Sequence, residues 1–172
     1  MKHRQPSAFT PSAWRKISGF AGRCVNYFNS RNGERISLSK AARRTFWEKA
    51  MLVHEENFRP ADKPRKVRLA RHYYDLWCLI NKGVAAQAMA DSGLFQRVAA
   101  HREIFFRWSW VDYSTLRHGS LRLIPSDDQL AAWRQDYQIM RGEMFFGDVP
   151  KFDAILRVVG DFEKRFNQSA PV

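Results

Sequence analysis

Val67-Arg68-Leu69-Ala70-Arg71-His72-Tyr73-Tyr74-Asp75-Leu76-Trp77-Cys78-Leu79-Ile80-Asn81-Lys82 decides how the chain is read. Ala70, Tyr73, Tyr74, Trp77 and Ile80 recur at helical spacing, and Gly83 supplies a left-handed stop. Upstream, Phe58 to Lys66 carries Pro60 and Pro64 among basic residues and reads as an exposed connector. Before it, Ala42, Phe46, Ala50 and Val53 predict a helix over about 41–57 with Arg43, Arg44, Glu48 and Lys49 on its other side. Ser39 reads as its cap, Ile36-Ser37-Leu38 as a short strand remnant, and Asn29 to Arg35 as a turn. A further helix is expected from Ser12, with Trp14, Ile17, Ala21, Cys24, Val25 and Phe28 apolar.

Downstream, a short helix is expected around 85–90, ending at Asp91-Ser92-Gly93, and another over 94–107. Residues 108–124 break helical period, alternate in places and end at Pro125, as an extended, partly ordered loop would. Ser126 with Gln129 reads as a capping box for a helix bearing Leu130, Trp133, Tyr137 and Met140 on one face. After Pro150 a last helix turns Phe152, Ile155, Leu156, Val159, Phe162 and Phe166 inward. The expected fold is mainly α, a compact domain of about six to seven helices with at most one short strand.

The 172 residues suffice for one domain, and 45% hydrophobic with 14% aromatic content excludes a disordered or collagen-like chain. Lys and Arg number 29 against 17 Asp and Glu, a net charge of +12 that points to a polyanionic or acidic partner. No run approaches the roughly 18 apolar residues of a membrane span, and Lys2 and Arg4 precede polar residues instead of an apolar signal core, so no membrane partner and a cytoplasmic location are expected. Cys24 and Cys78 have no metal spacing and read as packed thiols. The five histidines are scattered, with no pair four residues apart, so no metal site is expected. Phosphate-binding loops of the G-x-x-x-x-G-K and G-x-G-x-x-G types are absent from the sequence.

Two segments carry a likeness: Arg44-Thr45-Phe46-Trp47-Glu48-Lys49-Ala50 followed by Leu52, His54 and Glu55, and Arg71-His72-Tyr73-Tyr74-Asp75-Leu76. They resemble the third and fourth motifs of the AbiEii/AbiGii nucleotidyltransferase toxins of abortive-infection and toxin–antitoxin systems. The resemblance runs from about Ile36 to Asn167. It includes Phe105-Phe106, Gly119-Ser120-Leu121, Asp136-Tyr137, Met140 and the Pro150-x-Phe152-Asp153 entry to the last helix.

The resemblance implies transfer of a nucleotidyl group from a nucleoside triphosphate to an acceptor such as tRNA, with loss of pyrophosphate. Lys49 matches the family's motif lysine, whose ammonium would neutralise charge developing on the leaving pyrophosphate. Asp75 matches the fourth-motif aspartate, placed to orient Lys49 or to accept the proton of an attacking hydroxyl. Arg71, one turn before Asp75, and Arg44 would contact phosphate. Spacing alone gives plainer readings: Arg71 and Asp75 as a helix-surface ion pair, Glu48 and Lys49 as a solvated face, His72 as a surface residue, and Tyr73, Tyr74 and Trp77 as core.

The sequence also departs from the family. Complete members carry, ahead of these motifs, a Gly-Ser turn and an Asp-x-Asp pair that holds Mg2+ beside the triphosphate. Glu34 is the sole acid in residues 1–43, so no such pair exists there. Gly119-Ser120 with Asp127-Asp128 follows both motifs, and Asp161-x-Glu163 sets its acids about 200° apart on a helix, so neither substitutes. The expected organisation is a divergent segment over 1–35 and the helical C-terminal part of an AbiEii-like enzyme over 36–172. Such a chain, from a truncated or split gene, is expected to be inactive alone and to hold no cofactor by itself. Its missing half or an antitoxin would be a partner. The alternative is a non-catalytic basic module that binds RNA or an antitoxin. Loss of a catalytic sheet is expected to uncover apolar surface on the helix of Phe46, Trp47 and Met51.

Overall fold

A computed structural model describes residues 34–144 and 149–169 of the chain. Six α-helices and one 3-10 turn make up its regular structure, and no strand occurs among the described residues. In chain order these are α1 (Glu34–Asn57), α2 (Arg71–Asn81), α3 (Val84–Met89), α4 (Ser92–Phe105), α5 (Asp127–Met144) and α6 (Phe152–Gln168), with the 3-10 turn at Tyr113–Thr115 between α4 and α5. The helix expected from Ser12 lies outside the described residues.

The strand remnant at Ile36-Ser37-Leu38 is instead part of α1, which begins at Glu34. A lone three-residue strand leaves its backbone groups without partners, whereas a helix satisfies them internally, and one β-branched residue costs a helix only a few tenths of a kcal/mol. The helix α1 is two-sided as expected: Phe46, Trp47, Ala50, Met51, Val53 and His54 are fully buried on one broad face, and Arg44 and Glu48 stand on the opposite, solvent-facing side. The face of Phe46, Trp47 and Met51, expected to be uncovered, is instead covered. It packs on α2, α3 and α4. Phe46 meets Trp47 and Phe162 edge to face at 5.0 and 4.9 Å, and Trp47 meets Phe95 at 4.8 Å, geometries favoured by the ring quadrupole. Trp47 Nε1 donates to the Ala88 carbonyl, tying α1 to α3.

A second aromatic group joins α2, α5 and α6: Tyr73 stands edge-on to Trp133 and Phe152 at 4.9 and 5.4 Å. Trp133, Tyr137 and Met140 are buried as the period of α5 predicts, and so are Phe152, Ile155, Val159, Phe162 and Phe166 on α6, with Leu156 half-buried. Gly83 turns with φ +75° as expected. Asp91 caps α4 by accepting from Leu94 N at 3.0 Å. Gln129, expected in a capping box, instead donates to the Arg59 carbonyl at 3.1 Å. No helix among the described residues is long and apolar enough to cross a membrane.

Side chains, in place of a sheet, hold the segment before α5. Leu121 and Leu123 are buried, and the backbone at Leu121 is bracketed by Asn167, which accepts from its N–H at 3.1 Å and donates to its carbonyl at 2.8 Å. Glu163 accepts from Leu123 N and Ile124 N, and the Tyr73 hydroxyl donates to the Leu123 carbonyl. The alternation in residues 121–124 is therefore that of an extended segment whose hydrogen bonds go to helices. The proline-containing connector is likewise pinned. Arg59 and Lys63 sit 4.7 and 4.6 Å from the Trp110 ring, and Arg65 sits 4.1 Å from Trp133.

The helix expected from Val67 starts only at Arg71, because nothing local caps it: Ala70 makes no side-chain cap bond. Asp136 of α5 instead holds the backbone that leads into the helix, accepting from Arg68 N at 2.6 Å and Ala70 N at 2.7 Å. Asp136→Ala is expected to cost about 1–2 kcal/mol, chiefly by leaving the Ala70 N–H unpaired, since the exposed Arg68 N–H can turn to water. Asp136→Asn, which turns an N–H toward one of them, should recover less than half of that loss. Urea unfolding midpoints of the three proteins test this, and an unchanged midpoint in Asp136→Ala would refute it.

Candidate functional site

The helix α1 carries Lys49, and α2 carries His72 and Asp75 three residues apart on one face. The two helices pack so that Lys49 Nζ lies 3.0 Å from His72 Nδ1 and 3.3 Å from Asp75 Oδ2. His72 Nδ1 stands 3.9 Å from the same carboxylate oxygen. His72 and Asp75 are 3% and 2% exposed, while the Lys49 side chain keeps 17% of its surface in solvent. The arrangement is a buried carboxyl and a buried imidazole beneath an ammonium that reaches the surface.

Burial sets the electrostatics. It pushes the Asp75 carboxyl up to about 6, against the opposing pull of the Lys49 and Arg71 charges. It takes His72 down to about 3, and here the cations of Lys49, Arg71 and Arg102 push the same way. His72 is therefore neutral in ordinary buffers. Because an ammonium only donates, Nδ1 is the acceptor and the ring proton resides on Nε2.

The four residues expected from the motifs divide into two groups. Lys49 and Asp75 meet, and Arg71 lies at the surface one turn before Asp75, close enough for its charge to favour the ionised carboxyl. Arg44 points elsewhere: it is exposed and donates to Glu48 at 2.8 Å, five positions from Lys49 and so about 140° away around the helix. The sequence reading missed His72, which is buried and not on the surface as expected. Its signal was present in the spacing 72, 75, 76, 79, the face that α2 buries together with Tyr73, but two polar members hid it among apolar neighbours. Tyr73 is core as expected, with Tyr74 and Trp77 half-buried against it. Cys78 is a half-buried free thiol, and Cys24 lies outside the described residues.

A divalent cation does not fit beside this cluster. Asp75 is its one carboxylate and already faces Lys49, and no group of three or more His, Cys, Asp or Glu among the described residues is arranged to hold a metal. A cavity of about 510 Å³ lies between α4 and the 3-10 turn, lined in part by Phe95, Glu103, Tyr113, Arg117 and His118, and shares no lining residue with the cluster.

What the cluster can do is present one fixed, partly exposed positive charge to an anion, backed by a carboxyl that loses its proton near pH 6. Comparison with known families identifies residues 40–158 as matching the nucleotidyl transferase AbiEii toxin of the type IV toxin–antitoxin system. That span contains both motif segments and the whole Lys49, His72 and Asp75 cluster. No curated protein and no solved structure gives a significant match. With well over half of its residues inside the family's boundaries, the chain belongs to the AbiEii nucleotidyltransferase toxin family.

Proposed function

We propose that this chain is the helical, C-terminal part of a cytoplasmic nucleotidyltransferase toxin that works on a nucleoside triphosphate and an acceptor such as tRNA. In that reaction an acceptor hydroxyl oxygen bonds to the α-phosphorus, the bond to the β-phosphate breaks, and pyrophosphate leaves with the electron pair. Lys49 places its ammonium against the departing phosphates, where charge accumulates. Arg71 adds a second cation at the rim, whereas Arg44, paired with Glu48 about 140° around α1 from Lys49, stands apart from this site. The burial of Asp75 beneath Lys49 supports an orienting role over acceptance of the hydroxyl proton. The observation that carries this reading is the meeting of Lys49 and Asp75, one from each motif, at 3.3 Å.

The 172 residues contain no Asp-x-Asp pair, so the metal-binding carboxylates and the acceptor base belong to another segment or chain. The 172-residue protein alone is therefore expected to transfer no label from nucleoside triphosphates to tRNA, with or without magnesium. It is expected to bind ATP weakly, and Lys49→Met should weaken that binding about ten- to a hundredfold, as loss of a charged hydrogen bond does. ATP titrations followed by NMR decide it: wild-type affinity in Lys49→Met would sink the assignment of Lys49. The +12 charge favours a second reading, a binding module without chemistry. It predicts no ATP binding, but RNA binding that survives magnesium removal and falls steeply with salt.

A further inference from the structure

We propose that His72 is a positioning residue for Lys49: its neutral Nδ1 lone pair takes one N–H of the ammonium and holds Nζ back from full contact with Asp75. This rests on the reading of Lys49 as the phosphate-facing cation. Left with a lone buried carboxylate, a lysine closes to the about 2.7–2.9 Å of a charge-assisted hydrogen bond, and its charge is largely spent inside the pair. Here the order is reversed. The shorter contact, 3.0 Å, goes to the uncharged imidazole, and the carboxylate stands at 3.3 Å.

A neutral acceptor fixes the ammonium in place without adding negative charge to that which Asp75 already sets 3.3 Å away, and so leaves more of the positive charge for an approaching polyphosphate. The surroundings keep His72 in that state. It is 3% exposed, and the cations of Lys49, Arg71 and Arg102 converge on it, so an imidazolium there would be both desolvated and repelled. Arg102 is itself fixed by Glu55 through two hydrogen bonds of 2.6 Å, so this cationic wall is part of the fold. His72 also occupies the first turn of α2, three residues before Asp75, so one helix turn sets both acceptors at fixed separation and α1 brings the donor to them.

Two substitutions separate positioning from packing. His72→Asn places a side-chain oxygen near the former Nδ1 and preserves an acceptor, whereas His72→Leu fills the space without one. In the full 172-residue protein, long-range 15N–1H spectra of the histidine rings should show His72 as the neutral form protonated on Nε2. The Lys49 15Nζ resonance should move in His72→Leu and stay near its wild-type position in His72→Asn. With inorganic tripolyphosphate as the probe, affinity should fall about tenfold in His72→Leu and less than threefold in His72→Asn.

A ring protonated on Nδ1, or a Lys49 15Nζ resonance that ignores His72→Leu, overturns the proposal. If His72→Leu does not fold, the wild-type tautomer and the His72→Asn spectrum still decide. If wild-type protein shows no tripolyphosphate binding, the phosphate-facing reading of Lys49 fails, and with it the functional half of this inference; the spectra then report separately whether His72 holds the ammonium.

Discussion

Arg102→Leu is expected to cost about 3–5 kcal/mol of stability, among the largest effects of any single polar substitution in the domain. Arg102 on α4 donates from Nε and Nη2 to the two oxygens of Glu55 on α1, both at 2.6 Å, and the pair is 5% and 2% exposed. Its guanidinium also lies 4.2 Å from the Phe106 ring. The cost arises less from the lost attraction than from the carboxylate left behind, desolvated and without a counter-charge. Two consequences follow that a simple cavity would not produce. Glu55→Leu should cost as much as Arg102→Leu. The double substitution, which removes both charges and leaves apolar volume, should be more stable than either single variant, with a coupling of at least about 2 kcal/mol in the double-mutant cycle. Urea unfolding of the four proteins measures it. Additive losses would show that the pair acts as two separate packing residues.

Glu55 and Arg102 also mark where sequence reading stopped. Periodicity located α5 and α6 almost residue by residue, since Trp133, Tyr137 and Met140, or Phe152 through Phe166, form one apolar stripe on a helix with a polar back. It did less well on α1 and α2, whose buried faces mix large apolar groups with His54, Glu55, Asn57, His72 and Asp75. A period detector treats such residues as solvent-facing, because the partners that make their burial tolerable lie 47 residues away for Glu55 and 23 for Lys49 and His72. The start of α2 was misplaced for the same reason: the carboxylate that holds the backbone just before it, Asp136, lies 66 residues downstream of Ala70. Lys49 and Asp75 were legible only through motif resemblance. Their meeting at 3.3 Å is a property of the packing of α1 on α2, which spacing along the chain does not encode.

Between pH 6 and pH 4 three buried groups should together lower the domain's stability by about 1.4 kcal/mol per pH unit. His54 accepts from Arg122 N through Nδ1 at 2.9 Å, so its ring proton is on Nε2, which donates to Thr115 Oγ1 at 2.9 Å. Burial, aided by the Arg122 charge, takes its pKa from 6.5 down to about 4, and His72 falls from 6.5 to about 3. In this window both rings bind a proton when unfolded and refuse it when folded. Acid therefore favours unfolding, by about 1.36 kcal/mol per pH unit for each ring. Asp75 acts in the opposite sense. Its pKa is raised from 3.8 to about 6, so the folded state holds a proton that the unfolded chain has released, and acid favours folding between those values. Two histidines against one carboxyl leave a net dependence of one proton. Removing the carboxyl's proton with Asp75→Asn should double the slope to about 2.7 kcal/mol per pH unit. His54→Asn, which keeps an acceptor for Arg122 N but cannot titrate, should bring the slope near zero. Urea unfolding at pH 4, 5, 6 and 7 measures all three. A wild-type profile that is flat from pH 6 to 4 would mean that the two imidazoles are not held neutral, and the hydrogen-bond directions derived for both rings would fall with it.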